Sequence, residues 1–309
     1  MKLLSIVVPC YNEEEVLNLF YEEIIKILHK ITDINKEIIF VNDGSRDKTL
    51  EVIKKLELKD CEIKHISFSR NFGKESAILA GLDNCRGDYV VLMDADLQHP
   101  PSKVLEMYNI MIDKKCDMVT TRRISRKGES KIRSFFANLF YKLINSVSDV
   151  KMVPGSQDFR IMTRQVVNSI LKLSEYNRFS KGIFNWIGYD TIYVELENVE
   201  RAAGTTSWSF MGLFKYAIEG MVSFTTAPLK LATVFGSITS LGAFVYLIYL
   251  IIKTLLYGAD ISGFPTIVSL ILVLGGIQLL AIGIIGEYLS KTYLECKNRP
   301  KYFIKDKKL

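Results

Sequence analysis

Two uncharged runs near the C-terminus set the first limit on what this chain can fold into. Leu231 to Ile252, 22 residues between Lys230 and Lys253, carry no charge, and neither do the 26 residues Ile261 to Gly286 between Asp260 and Glu287. About 20 apolar residues in a helix cross the hydrocarbon core of a bilayer, so each run is long enough to span. A pair of buried helices in a soluble protein is the competing reading, and two such runs in succession weigh against it. The connector Tyr257–Gly263 has one acid and no base, whereas Ser290–Leu309 has seven Lys/Arg against two acids. The positive-inside rule then puts the tail and the preceding chain in the cytosol and the connector outside. The expected organisation is a cytosolic domain over 1–228, a transmembrane hairpin over 229–289 with spans near 231–252 and 264–286, and a basic cytosolic tail over 290–309. The chain is expected as a multi-pass protein of the cell (inner or plasma) membrane.

The hairpin explains an awkward average. A charged fraction of 24% is that of a soluble protein, yet the mean hydropathy is +0.16. Of the net charge of +6, the last twenty residues supply +5. The basic surplus is therefore a tail beside anionic headgroups, not a nucleic-acid footprint, and no nucleic-acid partner is expected. Five scattered cysteines without a CxxC pair point to reduced thiols in place of a disulfide framework or zinc site. The opening MKLLSIVVPCYNEE lacks a small-residue cleavage site and turns acidic at once, so it reads as a first strand, not a signal peptide.

Ahead of the hairpin, apolar runs alternate with amphipathic stretches. Leu3–Val8, Glu37–Asn42, Glu62–Phe68, Tyr89–Asp94 and Asp117–Thr121 are expected as strands. Glu13–Ile31, Asp47–Leu58, Lys74–Asn84 and Pro101–Asp113 are expected as the helices between them. That alternation predicts a mostly parallel sheet with helices on both faces. Two further stretches, 130–147 and 208–224, are expected as amphipathic interfacial helices, with packing on the sheet the equal alternative for the first and a tightly packed helix the alternative for the second. In the first, Ile132, Phe135, Phe136, Leu139, Phe140, Leu143, Ile144 and Val147 recur at helical spacing beside Lys131, Arg133 and Lys142.

Ligands of an open parallel sheet bind beyond the carboxyl ends of its strands, and polar clusters fall there. Pro9-Cys10-Tyr11-Asn12-Glu13 follows the first strand, Asn42-Asp43-Gly44-Ser45 the second and Asp94-Ala95-Asp96-Leu97-Gln98 the fourth. There is no GxGxxG after the first strand, and Gly73-Lys74 lacks the rest of a P-loop. If the segment is extended, Asp94, Asp96 and Gln98 point the same way. Carboxylate and amide oxygens are hard ligands suited to Mg²⁺ or Mn²⁺.

These clusters occur in a recognisable order. PxYNE at Pro9–Glu13, NDGSxD at Asn42–Asp47, SRNFGKE at Ser69–Glu75 and Ala80–Asp88 are followed by DADLQxP at Asp94–Pro100, GSQDFR at Gly155–Arg160 and RxxG at Arg201–Gly204. The chain resembles the inverting family 2 glycosyltransferases, specifically the membrane-bound polyprenyl-phosphate glycosyltransferases of the bactoprenol glucosyltransferase type, a group similar to dolichol-phosphate mannose synthase. The resemblance covers nearly the whole chain, including the hairpin and Arg299–Tyr302. It implies an α/β fold, a Rossmann-like GT-A domain with a mostly parallel sheet, carrying the C-terminal two-helix hairpin.

By position, the resemblance implies that Pro9, Tyr11, Glu13, Asp43, Lys74, Asp94 and Asp96 bind the nucleotide sugar. Asp94, Asp96 and Gln98 would hold Mg²⁺ or Mn²⁺, and Arg160 and Arg201 would face phosphates. Asp158 takes the position assigned to the catalytic base. A phosphate monoester has its second pKa near ~6 and is already largely ionised at neutral pH, so a role for Asp158 in orienting the acceptor or stabilising positive charge on the sugar is the expectation preferred here. Two positions depart from the family pattern: Asn42 stands where many relatives have aspartate, and Ser207 where a lysine is common. The phosphate contact of that lysine is then either absent or supplied elsewhere, with Lys74 and Lys181 as the candidates.

The implied reaction moves one sugar, expected to be glucose from UDP-glucose, onto undecaprenyl (polyprenyl) phosphate with inversion. UDP-N-acetylglucosamine is the alternative donor, and homo-oligomerisation stays open. A processive polysaccharide synthase is disfavoured because Gln157-x-x-Arg160 is followed by Ile161 instead of the Trp of QxxRW, and because only two spans are present. A nucleotide-sugar-binding membrane scaffold without activity is disfavoured by the presence of Asp94, Asp96 and Asp158.

Overall fold

A computed structural model of the chain describes residues 1–123, 153–196, 225–258 and 263–309, with positions 142, 145, 146, 151 and 222 between them. The two expected interfacial helices and Arg201 and Ser207 therefore lie outside the described residues, apart from those isolated positions.

The first 123 residues alternate strand and helix: β1 (Leu3–Cys10), α1 (Leu17–Leu28), β2 (Asn35–Asn42), α2 (Thr49–Lys59), β3 (Ile63–Phe68), α3 (Lys74–Asn84), β4 (Tyr89–Leu92), α4 (Ser102–Lys114) and β5 (Met118–Arg123). After them come β6 (Ser156–Thr163), α5 (Arg164–Leu171), α6 (Ser180–Trp186), β7 (Thr191–Leu196), α7 (Ala227–Tyr257), α8 (Phe264–Cys296) and β8 (Ile304–Lys308). The eight strands form one sheet in the order β7-β5-β6-β4-β1-β2-β3-β8. Its centre, β4-β1-β2-β3, is parallel throughout. β6 enters antiparallel between β4 and β5, and β8 closes the far edge antiparallel to β3.

Period-two alternation sorts the core onto the two faces. Leu4, Ile6 and Val8 of β1 join Ile38 and Phe40 of β2 under α1, α2 and α4. Val7, Ile39, Val41 and Val90 point the other way and pack with α3, α5 and α6. Contact on that second face is close at Gly81 of α3, where a Cβ would lie 2.2 Å from Val7 Cγ1.

α7 and α8 contain the two stretches long and apolar enough to cross a membrane, Ala227–Tyr257 and Leu270–Cys296, with no part of either buried in the protein. Side chains such as Leu255, Leu272 and Leu279 stand at 70% exposure or more, which calls for lipid around them. Both helices outrun their uncharged runs. α8 continues through Glu287, Lys291 and Glu295 as a stalk, and Glu295 accepts the Tyr176 backbone N–H at 2.6 Å.

The tail differs from the expectation of a simple basic anchor. After α8 it returns to the sheet: Ser69 N donates to Phe303 O at 3.0 Å, Tyr302 stacks on Phe68 with ring centroids 4.9 Å apart, and β8 pairs with β3. Asp306 on β8 meets Lys54 at 2.5 Å and lies 3.4 Å from His65 Nε2, while Glu57 holds the other ring nitrogen at 2.6 Å. Burial of its aromatic ring pushes the Tyr302 phenol up to about 12.

Candidate active site

Strand β1 has β2 on one side and β4 on the other, so the chain reverses its direction of travel across the sheet between β1 and β4. A crevice opens at such a reversal, beyond the carboxyl ends of the strands. Here it is a cavity of about 260 Å³ lined by Pro9, Cys10, Tyr11 and Glu13 after β1, Asp43 after β2, Asn71, Gly73, Lys74 and Ala77 at the start of α3, and Asp94, Ala95 and Asp96 after β4. Every residue expected to bind the nucleotide sugar lines it. A larger concavity of about 490 Å³ by Trp186 and Tyr193 gathers none of them, so volume alone does not mark the site.

The loops around the cavity are stitched to one another. Asn12 N donates to Ser45 Oγ at 3.0 Å, and Asn12 Oδ1 accepts from Arg46 N at 2.9 Å. Glu13 N donates to Thr49 Oγ1 at 2.8 Å. These bonds hold residues 12–15 in the loop, which is why α1 begins at Leu17 and not at Glu13 as expected. Asn42 uses both ends of its amide, donating to Ser67 Oγ at 2.8 Å and accepting from Ser45 N at 3.2 Å. An aspartate could only accept there.

Asp43 ties the second loop to the third. Its Oδ1 accepts Phe72 N at 2.7 Å and its Oδ2 accepts Gly73 N at 2.9 Å. Burial outweighs these bonds and keeps its carboxyl above the ordinary aspartate value. Gly44, with φ of +63°, comes so close to Arg70 that a Cβ would sit 2.3 Å from its carbonyl carbon, so only glycine lets the two loops meet.

The acidic motif is not extended. The backbone turns after Asp94, Leu97 takes a φ of +58°, and Asp96 Oδ1 accepts Gln98 N at 3.1 Å. The period-two argument for the three side chains is corrected accordingly: a turn, not a strand, brings Asp94 and Asp96 to the cavity, and Gln98 is not part of its lining. Among the described residues no group of three or more His, Cys, Asp or Glu is placed to enclose a metal. Two hard carboxylates facing an open cavity nonetheless fit Mg²⁺ or Mn²⁺, which leave their remaining positions to water and phosphate oxygens.

Lys74 links this acidic turn to β6. Its Nζ lies 2.7 Å from Asp94 Oδ1, 2.8 Å from Asp94 Oδ2 and 3.1 Å from Asp158 Oδ2. Burial works against the ammonium, but the two carboxylates outweigh it and hold the Lys74 pKa above the usual lysine value. Burial likewise favours a neutral Asp158, yet Lys74, Lys181 and Arg160 hold its carboxyl well below the usual range.

Arg160, only 2% exposed, does not line the cavity. Its Nε donates to Asp158 O at 3.1 Å, its Nη2 donates to Gln157 O at 2.5 Å, and its guanidinium stacks 3.5 Å over the Phe184 ring. In place of the expected phosphate contact, Arg160 braces the backbone that carries Asp158. Burial lowers its pKa to about 10.

Two residues escaped the sequence reading. Glu75, present in the SRNFGKE motif but given no role there, accepts the Ser180 backbone N–H at 3.2 Å and its hydroxyl, so seating α6 with Lys181 near Asp158. His99 is buried, its ring stacked on Phe159 at 5.0 Å, its Nδ1 without a hydrogen-bond partner. Nothing in the spacing of three scattered histidines signals that position.

Known proteins share much of this sequence. Residues 5–171 match the family model described as Glycosyl transferase family 2, and residues 227–292 match that described as the GtrB C-terminal hairpin. A Bacillus subtilis (strain 168) protein named as a glycosyltransferase, CsbB, is 47% identical over 98% of this chain and 92% of its own. The Bactoprenol glucosyl transferase of Shigella phage SfV is 41% identical over 99% of each chain. The Prophage bactoprenol glucosyl transferase homolog of Escherichia coli (strain K12) is 40% identical over 98% of each.

Proposed function

The chain belongs to glycosyl transferase family 2 and carries the GtrB C-terminal hairpin, and from that membership we propose that it transfers one glucose from UDP-glucose to undecaprenyl phosphate, with inversion, at the cytosolic face of the cell membrane. The observation that carries the reading is the cavity at the β1/β4 reversal, which gathers the residues proposed to bind the nucleotide sugar, with Lys74 in its lining 3.1 Å from Asp158. The acceptor follows from the hairpin and from relatives named for bactoprenol.

In this reading Pro9, Tyr11, Glu13 and Asp43 hold the nucleoside, with Tyr11 exposed at the rim and Asp43 fixed by the Phe72 and Gly73 amides. Asp94 and Asp96 would hold Mg²⁺ or Mn²⁺. That ion, when bound, offsets the negative charge building on the departing diphosphate. Arg201, which lies outside the described residues, and Lys181 would face phosphate oxygens, and Arg160 keeps β6 in place for Asp158. An acceptor phosphate oxygen forms its bond to the anomeric carbon as the bond to the diphosphate breaks on the opposite side, and UDP leaves. One displacement inverts the centre.

Asp158 does not need to take a proton. Lys181 and Arg160 flank Asp158 whether or not Lys74 stays, and a carboxylate even at the ordinary value near ~3.9 is less basic than a phosphate with a second pKa near ~6, so transfer to Asp158 would run uphill. Asp158 instead orients the acceptor and faces the positive charge that develops on the sugar.

The test is a panel of radiolabelled nucleotide sugars with purified protein and undecaprenyl phosphate, with the anomeric configuration of the product read by NMR. UDP-glucose is expected to be the preferred donor and the linkage to be inverted. Preference for UDP-N-acetylglucosamine, or a retained linkage, would overturn those parts of the assignment.

A further inference from the structure

The contact between Lys74 and Asp94 has a consequence for how a divalent ion enters. The ammonium straddles both oxygens of the carboxylate, at 2.7 and 2.8 Å, and reaches Asp158 at 3.1 Å. A divalent ion bound to Asp94 would then lie beside that ammonium, and like charges so close repel in a partly buried site. Lys74 is also the first residue of α3 and lines the same cavity as Pro9, Tyr11 and Asp96. A swing of its flexible stem can therefore carry the charge from Asp94 to a ligand in that cavity.

We propose that Lys74 is a placeholder cation, occupying the position between Asp94 and Asp158 until a nucleotide diphosphate arrives, then moving to a diphosphate oxygen as the divalent ion takes Asp94. This rests on the reading of Asp94 and Asp96 as the metal ligands. The lysine makes metal and nucleotide binding mutually dependent. Without nucleotide, the ion must displace Lys74 from Asp94 with nothing offered to the ammonium in return. With nucleotide, the ammonium gains an anionic partner. By linkage, UDP tightens Mn²⁺ and Mn²⁺ tightens UDP by the same factor.

The placeholder also keeps the ligand-free site compact. Asp94 lies in the turn after β4 and Asp158 on β6, and Lys74 is the cation that pairs with both. The lysine thus serves two states of one site, pairing acids in the first and an anionic ligand in the second.

The experiment is a titration of the full-length protein in nanodiscs with Mn²⁺, free Mn²⁺ being counted by electron paramagnetic resonance, with and without UDP. Lys74→Met is expected to bind Mn²⁺ alone about tenfold tighter than the parent, a shift of about 1.4 kcal/mol. In the same variant the gain from adding UDP should shrink towards one. Lys74→Arg, which keeps the charge, is expected to behave as the parent, and Lys74→Gln as Lys74→Met, which guards against a folding defect in any one variant. Asp94→Asn is expected to lose Mn²⁺ binding. If Asp94→Asn loses it while Lys74→Met and Lys74→Gln bind Mn²⁺ alone no tighter than the parent, the placeholder is wrong and the metal site stands. Unchanged Mn²⁺ affinity in both Asp94→Asn and Asp96→Ala overturns the metal-site reading and the placeholder with it.

Discussion

At the scale of single residues, charge decides the chemistry. Asp158 has a folded-state pKa depressed below the usual aspartate value of about 3.9, so the stabilisation from its ionised form is present above that value and is lost only as the pH falls through the lower folded pKa. Across pH 5 to 9 it remains a carboxylate, and its titration adds no limb to the rate profile. The acid limb should instead follow the acceptor phosphate near pH ~6. Asp158→Asn is expected to lower turnover by about 10²- to 10³-fold, the cost typical of removing one electrostatic contact to a transition state, at every pH tested. A pH–rate profile checks this. Recovery of the variant to near the parental rate at high pH would mean that Asp158 acts as a base.

At the scale of elements, the site depends on how closely α3 can approach the sheet, because α3 presents Lys74 to Asp94 in the turn after β4 and to Asp158 on β6. Gly81 sets that approach, its missing Cβ leaving room for Val7 Cγ1. Gly81→Ala is expected to cost about 1–3 kcal/mol through overpacking, read as a lower thermal midpoint, and adding Val7→Ala should restore part of the loss. An additive double variant would show that the two residues do not share the constraint.

The same elements explain what could be read in advance. β1 to β5 and α1 to α4 follow from periodicity, α3 with both ends as expected, because each carries a buried face of regular spacing. β7 alternates Ile192, Val194 and Leu196 with Thr191, Tyr193 and Glu195 and is open to the same reading, whereas β6 and β8 carry no comparable signal. β6 is a functional motif whose residues are dictated by the site, and β8, reading Ile-Lys-Asp-Lys-Lys, is an edge strand whose charges resemble a solvated tail. Within the site, Asp94 and Asp96 were recognisable as a pair, but the turn that presents them rests on the left-handed backbone at Leu97, which leucine's preferences do not announce. Arg160 was misplaced for a related reason: an arginine in a motif gives no hint that its donors will be used by the carbonyls of Gln157 and Asp158.

At the scale of the whole molecule, the chain leaves the catalytic sheet, runs through α7 and α8, and returns to the sheet as β8. The active-site loop 70–73 is held on one side by Asp43 and on the other by the returning tail, where Phe303 packs 6.1 Å from Phe72. The returning tail thereby ties α8 back to the catalytic sheet, which suits an acceptor that arrives in the bilayer. The thiols offer a topology test. Cys61 and Cys296 are exposed, whereas Cys10, Cys85 and Cys116 are buried and burial pushes their thiols up. A membrane-impermeant maleimide is expected to label the two exposed thiols in inside-out vesicles and neither in intact cells. Labelling of Cys61 from outside would reverse the assigned orientation.

The central claim is that the cavity at the β1/β4 reversal moves a sugar onto a lipid phosphate. It is tested most directly by incubating the purified full-length protein with radiolabelled UDP-glucose, undecaprenyl phosphate and Mn²⁺ or Mg²⁺, and counting the label that partitions into organic solvent. The expected product is a labelled lipid that requires the divalent ion, disappears with a chelator and falls to background in Asp96→Ala. Absence of any labelled lipid, or a product formed equally well by Asp96→Ala, would contradict the claim.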